Sequence, residues 1–362
     1  MQIRDVPVEG YEKVVVAQDS ESGLHAIIAV HDTTLGPALG GLRMWSYRSE
    51  EEALRDVLRL SKGMTYKSAC ADTGLGGGKA VIIGDQATDK TEARFRAMGR
   101  FVDSLQGKYV TAEDVGIEIR ELEWLRQETE YVTGLSRKSG SSGNPSPFTA
   151  RGVMRGLRAC AEEAFGTSRL DHFRFACQGL GNVGGEIVRG LSILGAWIYV
   201  SDISEERCEQ FQALPGVEVV PLDDIYDVDC DFFMPCALGG VLNKETIPRL
   251  KARVVAGAAN NQLHDAEDGD HLAERGILYA PDYVINAGGI INVSIEVSPG
   301  GYNERRAVEK IENIHTALKE IFATARREGT TPELAANQVA EKRIQEARAK
   351  KIQGAPNPAT SP

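Results

Sequence analysis

Apolar and polar positions alternate along this chain in blocks that change period. Leu24–Val30 (LHAIIAV) is almost wholly apolar and stops at His31-Asp32-Thr33, the pattern of a buried strand. From Ser49 to Gly63 the spacing predicts a helix, with Leu54, Val57, Leu58 and Ser61 on one face and a capping box of Ser49 and Glu52. Ala80–Ile83 reads as a short buried strand, Thr91–Leu105 as a helix, and Lys108–Ala112 as a strand ending at Glu113-Asp114. Thr149 opens a helix through Val153, Leu157 and Ala161. From Phe173 the order becomes strand (FRFACQ), glycine turn and helix (GLGNVGGEIVRGLSILG), then strand (AWIYVSD). Short apolar runs follow at Val217–Val220, Phe232–Met234, Val254–Ala256 and Leu278–Ala280, which is how a parallel sheet with crossover helices reads.

Residues 136–147, SRKSGSSGNPSP, have the composition of a flexible linker or hinge and are the best boundary between two domains. Two domains also suit a chain of 362 residues. With 41 basic against 52 acidic residues the net charge is −11, which argues against nucleic acid or an anionic membrane as partner. No apolar run approaches the roughly 18 residues that span a bilayer, and the N-terminus has no signal-peptide core. The six cysteines form no CxxC pair and read as thiols in a reducing, cytoplasmic compartment. The six histidines show no HxxxH or HExxH spacing, so no metal site is expected. The tail APNPATSP reads as disordered.

Gly179-Leu180-Gly181-Asn182-Val183-Gly184 matches GxGxxG between a predicted strand and a predicted helix, and the next strand ends at Asp202. In that setting Gly179 permits the tight turn, Gly181 lets the backbone approach a pyrophosphate, and Gly184 lets helix and strand pack closely. The helix N-terminus offers N–H groups to phosphate. A carboxylate at Asp202 accepts from ribose hydroxyls and repels a 2'-phosphate. Because Ile203, Ser204, Glu205 and Glu206 follow it, with no base among them, NAD is favoured over NADP.

Ahead of this segment stand Lys67 in GMTYKSA, Lys79 in TGLGGGKAVII and Asp114 in TAEDVG. The glycines before Lys79 do not make a P-loop: position 73 is Thr, Ala80 is neither Ser nor Thr, and a strand follows. A lysine crowded by glycines, near a second cation such as Lys67, has a depressed pKa and can act as a base near neutral pH. A lone lysine is ordinarily a solvated surface charge. Spacing alone leaves a joint active site and that bland reading level.

The longer stretches carry more. GPALGGLRMW (36–45), KGMTYKSACADTGLGGGKAVI (62–82), TAEDVG (111–116), GNPSPFTARGV (143–153), CQGLGNVG (177–184), GAANNQL (257–263) and PDYVINAGGIINV (281–293) resemble the glutamate/leucine/phenylalanine/valine dehydrogenase family, in family order and over most of the chain. The resemblance implies an α/β chain of two domains with a cleft between them: a substrate-binding and oligomerisation domain over 1–140, joined by C-terminal helices at about 325–352, and a Rossmann NAD-binding domain over 141–324. It implies NAD-dependent oxidative deamination of L-amino acids, reversible as reductive amination, by a homo-oligomer, octamer or dimer. Lys79 would be the base, Asp114 would handle the amino group, and Lys67 would bind the α-carboxylate beside Gly40 and Gly41. Thr149, Asn261 and Asn286 would lie at the nicotinamide.

For the substrate side chain the resemblance points to Leu39, Ala112, Ile290 and Val293, all apolar. The family's glutamate enzymes carry a lysine at the position of Leu39, so glutamate is disfavoured here. The pocket resembles the leucine type and favours leucine, valine and isoleucine. An aromatic substrate, phenylalanine or tryptophan, is the same-class alternative, and a non-catalytic NAD-binding sensor is the different-class one. The joint presence of Lys67, Lys79 and Asp114 counts against the sensor.

Overall fold

A computed structural model describes residues 1–354; the tail expected to be disordered lies outside the described residues. The chain divides into two compact units. One holds Met1–Gly143, Val293–Tyr302 and Ala340 onward; the other holds Asn144–Asn292 and Asn303–Val339.

The first unit is built on one mixed sheet of β1 (Gln2–Asp5), β2 (Lys13–Asp19), β3 (Leu24–Asp32), β4 (Ala38–Trp45), β5 (Gly76–Ile83) and β6 (Tyr109–Glu113), in the order β1-β2-β3-β5-β4-β6. Strands β1, β2, β3 and β5 pair antiparallel, and β5, β4 and β6 pair parallel. Alternation along the strands supplies two apolar faces. Ile27, Ala29 and Val81 meet Ala53 and Val57 of α1 (Glu50–Cys70). On the opposite face Ile28, Ala80 and Ile82 meet Phe95, Met98 and Phe101 of α2 (Glu92–Asp103), with Leu122 and Leu125 of α3 (Ile119–Arg126).

Two departures from the sequence pattern have one cause. Helix α1 does not stop at Gly63 but runs on to Cys70, because Ser61, Thr65, Ser68 and Ala69 are small and buried. Small residues there let the helix lie on the glycine stretch Gly76–Gly78, which is part of β5 rather than a loop before it. Strand β4 is absent from the pattern because Gly40-Gly41 interrupts its apolar alternation. The α1 cap is also half of the expected box. Ser49 Oγ accepts from Glu52 N at 3.1 Å, but the Glu52 carboxylate accepts from Arg48 N, at 2.7 Å, one residue before the cap.

The second unit opens with α4 (Ser146–Phe165), three residues earlier than Thr149 because Pro147 suits a helix's first turn. Its sheet is wholly parallel: β7 (Arg174–Gln178), β8 (Trp197–Ser201), β9 (Val217–Val219), β10 (Phe232–Pro235), β11 (Val254–Val255) and β12 (Leu278–Tyr279), in the order β12-β11-β10-β7-β8-β9. Helices α5 (Asn182–Leu194), α6 (Glu205–Gln212) and α7 (Asp268–Glu274) intervene, and short α8 (Asp282–Ile285) follows β12. This is the doubly wound order, reversing direction between β7 and β10. The chain ends through α9 (Gly288–Ser294), α10 (Glu304–Ile311), α11 (Asn313–Glu328) and α12 (Pro332–Gly354).

Within the first unit the returning segments are anchored by charge. Arg343 donates to the last carbonyls of α1, Ala69 O at 3.0 Å and Cys70 O at 2.8 Å, and Arg348 donates to Asp32 at 2.7 Å. The Glu296 carboxylate accepts from Ser141 Oγ at 2.6 Å, Ser142 N at 2.9 Å and Gly134 N at 3.2 Å. The serine-rich stretch that reads as a loose linker is therefore held at its middle, at Ser141 and Ser142.

A Cβ at Gly77 would come within 2.1–2.4 Å of Thr65 N, Oγ1 and Cα, whereas one at the exposed Gly63 meets nothing within 4 Å. Gly77→Ala is expected to cost about 1–3 kcal/mol in urea denaturation by forcing α1 off the sheet. Gly63→Ala should stabilise by about 0.5–1 kcal/mol. Equal stability of Gly77→Ala and the parent would contradict this packing.

Candidate active site

Three adjacent strands of the first unit meet almost bare of side chains. The constant register of β4 on β5 sets Gly41 opposite Lys79, and β6 sets Ala112 opposite Gly41. Because residues two apart share a face, Leu39, Gly41, Arg43, Lys79 and Ala112 all point to the side that α1 covers. Glycine is required by distance: a Cβ at Gly40 would fall 1.7 Å from Gly78 O, and one at Gly41 would fall 2.7 Å from both Asp114 Cβ and Glu113 O. Tyr109, fully buried, donates its hydroxyl to Gly40 O at 2.6 Å and so ties down the glycine backbone.

Into this face projects Lys79, only 5% exposed, whose Nζ lies 2.5 Å from Asp114 Oδ2. Arg43 Nε donates to the same oxygen at 3.3 Å. Burial pushes the Lys79 amine below the ordinary lysine range; Asp114 pushes back, and the Arg43 cation adds to the depression. For Asp114 burial acts upward, but the Lys79 and Arg43 cations outweigh it and keep the carboxyl below its usual range. The neighbouring carboxyl of Glu113 is raised, first by burial and then by nearby acids. The sequence reading gave the part of second cation to Lys67. Arg43 is a further cation that depresses Lys79, and the strand register, invisible in spacing, carries it onto the same face. Lys67 lies in the last turn of α1, 11 residues after Asp56 and so on nearly the same stripe of that helix.

In the second unit the glycine turn sits where β7 meets α5. Gly179 has φ +103°, and a Cβ on it would meet the loop after β10 at Ala237, 2.8 Å away. A Cβ at Gly184 would fall 2.1 Å from Gly179 O. At Gly181, the N-cap of α5, a Cβ would meet nothing within 4 Å, and no side chain caps the helix. The turn is thus tight where the protein packs on itself and open where a ligand would approach, with Leu180, Gly181, Asn182 and Arg207 lining a cavity of about 270 Å³. That is the shape a dinucleotide pyrophosphate needs. Asp202 accepts from Leu180 N at 2.7 Å and from Ser204 N at 2.9 Å, bracing the turn. The first turn of α6 brings Arg207 to 3.5 Å from the same carboxylate, a cation that a reading confined to 203–206 misses.

Asn261 and Asn286 meet at the loop 257–262. Asn286, 4% exposed, donates to Asn260 Oδ1 at 2.8 Å and to Ala258 O at 3.2 Å. Asn261 itself is exposed at φ +51°, and its carbonyl accepts from Gly240 N at 2.7 Å. Gln262 donates to Gly257 O and Ala259 O, at 2.9 and 3.0 Å, and Asp282 accepts from Gln262 N at 2.8 Å. Thr149 lies against the start of α9: a Cβ at Gly289 would come 2.8 Å from its hydroxyl. Ile290 and Val293 stand one turn apart on α9, where the chain passes from the second unit back to the first. Gln262, Asp282, Tyr109, Arg43 and Asp56 carry no role in the sequence reading. All but Asp56 lie in or beside the stretches quoted there, and only the strand and loop partners single them out.

Two family models match the chain, the Glu/Leu/Phe/Val dehydrogenase dimerisation domain over residues 11–131 and glutamate/leucine/phenylalanine/valine dehydrogenase over 198–352. The leucine dehydrogenase of Geobacillus stearothermophilus is 55% identical over 338 residues, 93% of this chain and 92% of that protein. The chain belongs to the glutamate/leucine/phenylalanine/valine dehydrogenase family. The phenylalanine dehydrogenase of Caldalkalibacillus thermarum is 49% identical, covering 93% of this chain and 92% of the relative. Among solved structures, the L-tryptophan dehydrogenase of Nostoc punctiforme superposes with a TM-score of 0.84 at 46% identity, covering 94% of this chain and 97% of that one. Among the described residues no helix is long and apolar enough to cross a membrane.

The open space at Gly181 gives a separable test. Gly181→Ala should leave the melting temperature unchanged, since its methyl touches no protein atom, yet weaken NAD binding by at least about tenfold by filling the phosphate approach. Undiminished affinity in a calorimetric titration would remove the pyrophosphate from this turn.

Proposed function

We propose that this chain oxidises branched-chain L-amino acids, leucine, valine and isoleucine, with NAD, giving 2-oxo acid and ammonia, and catalyses reductive amination in reverse. The observation that carries the reading is the buried Lys79–Asp114 pair, 2.5 Å apart, on a sheet face whose other small side chains, Leu39 and Ala112, are apolar. The higher identity to the leucine enzyme than to the phenylalanine and tryptophan enzymes supports the same choice.

On this reading the first unit holds the amino acid. Lys67 offers the fixed charge for the α-carboxylate, beside the backbone of Gly40 and Gly41. Asp114 receives the substrate amino group, its ionised state secured by two cations. Leu39, Ala112, Ile290 and Val293 are the positions that the family resemblance assigns to the substrate side chain; a carboxylate against Leu39, 2% exposed, would be buried without a partner, which disfavours glutamate. The dinucleotide is held by Gly179 to Gly184 and Asp202, with Thr149, Asn261 and Asn286 at its nicotinamide end, and when bound it supplies the acceptor for the α-hydrogen as hydride. Lys79 does the proton work. As the neutral amine it takes a proton from the water that adds to the iminium carbon, forming the C–O bond. The same proton, delivered to nitrogen, makes ammonia the leaving group: the C–N bond breaks as the carbinolamine hydroxyl gives its own proton to the again-neutral Lys79 and the carbonyl forms. Asp114 offsets positive charge on nitrogen throughout.

The partners implied are the amino acid, the 2-oxo acid, ammonia and further copies of the chain, as a dimer or octamer, in the cytoplasm. The deciding assay follows NADH formation with leucine, valine, isoleucine, phenylalanine, tryptophan and glutamate. Turnover led by the branched-chain set supports the pocket. Phenylalanine or tryptophan leading would overturn the pocket and keep the chemistry, and binding of NAD without turnover would favour a sensor.

Lys79→Ala should lower kcat by about 10²–10⁴-fold with NAD affinity unchanged. Because the neutral amine is the active form, kcat/KM should rise with pH along a limb lying below the ordinary lysine pKa of about 10.4. Activity that survives Lys79→Ala contradicts the assignment of the base.

A further inference from the structure

Arg43 stands on β4 opposite Val81, one residue beyond the Leu42–Glu113 pair, and so alongside Asp114. Its guanidinium is clamped between two carboxylates. Nε donates to Asp114 Oδ2 at 3.3 Å, the oxygen that also receives Lys79, and Nη1 donates to Asp56 Oδ2 at 2.9 Å. Asp56 is held in turn by the Tyr47 hydroxyl at 2.7 Å and by Arg59 at 3.1 Å. Side-chain exposure is 20% for Arg43 and 19% for Asp56, so the clamp lies mostly within the unit. A planar fork can bridge two acids in fixed directions; an ammonium cannot.

We propose that Arg43 is a positioning residue for the deamination: it holds the Asp114 carboxylate against Lys79 and keeps a permanent positive charge beside that amine. The inference rests on Lys79 acting as the base. The groups acting on Lys79 come from each neighbouring element: Asp114 from the end of β6, Arg43 from β4 and Asp56 from α1, while β3 presents only Ala29 opposite it. Glu113 follows Ala112 on β6, and Lys67 is carried by α1. Among these Arg43 never loses its charge in the working range, so it favours the neutral amine and the ionised carboxylate at every pH. Asp56 opposes this at Lys79, but two arginines neutralise it.

The sign of the effect is definite. Without the cation Lys79 holds its proton more tightly, and the acid limb of kcat/KM moves to higher pH. In Arg43→Gln and Arg43→Met, made in parallel and checked by circular dichroism, the limb should move up by about one pH unit, a tenfold loss at a pH on the limb. Arg43→Lys keeps the charge and loses the fork; its limb should stay near the parent's while kcat falls at all pH. A fall in rate with an unmoved limb in the neutral variants overturns the proposal. So does a limb in Arg43→Lys displaced as far as in Arg43→Gln. Folding of Arg43→Lys alone would make the cation a need of the fold and overturn it too. Lys79→Ala in the same series separates the two ideas. If it retains turnover, the base assignment has failed; if it is inactive while the Arg43 limb is unmoved, only the role of Arg43 has failed.

Discussion

A lysine amine buried against a carboxylate is costly unless the surroundings settle where the charges lie. Lys79 and Asp114 meet that condition because the strands around them carry no side chains that would hold them apart. Gly40, Gly41, Gly77 and Gly78 bring β4, β5, β6 and α1 closer than any Cβ allows. The same closeness excludes water from the Lys79 amine, and it is this burial that lowers its hold on a proton. Packing and chemistry are here one constraint. A residue larger than glycine at Gly41 would displace Asp114 and with it the partner of Lys79.

The second unit uses glycine differently. Gly179 and Gly184 serve packing, whereas Gly181 leaves room that the protein itself does not fill. Asp202 has two parts to play. It braces the turn through Leu180 N and Ser204 N, and it presents negative charge where ribose hydroxyls are expected. Around the loop 257–262, Asn286, Gln262 and Asp282 hydrogen-bond backbone groups, and Asn286 also the Asn260 side chain, which shapes the loop carrying Asn261.

What the sequence showed and what it hid divide along physical lines. Where burial is apolar and periodic, as in Leu24–Asp32 or the parallel strands β7 to β12, the pattern is legible. Where close approach replaces apolar burial, it is not. Strand β4 and the last two turns of α1 rest on glycine, serine and threonine, which read as turns and polar faces. Lys79 and Asp114 stood out because a lysine among glycines and an acid at a strand end are unusual. Arg43 did not, since an arginine in a strand has no mark until its register is known. Arg207 escaped for a related reason: it returns to Asp202 by the turn of α6, not by adjacency in the chain.

The proton on Lys79 is the most direct point of test. In protein labelled at the lysine side-chain nitrogen, with Lys79 assigned by its absence in Lys79→Arg, a pH titration followed by NMR reads that proton without any substrate. The account predicts that Lys79 titrates below the exposed lysines, and that Asp114→Asn lowers it further by removing the stronger of the two carboxylates that favour the ammonium. Titration together with the exposed lysines, or above them, would contradict it.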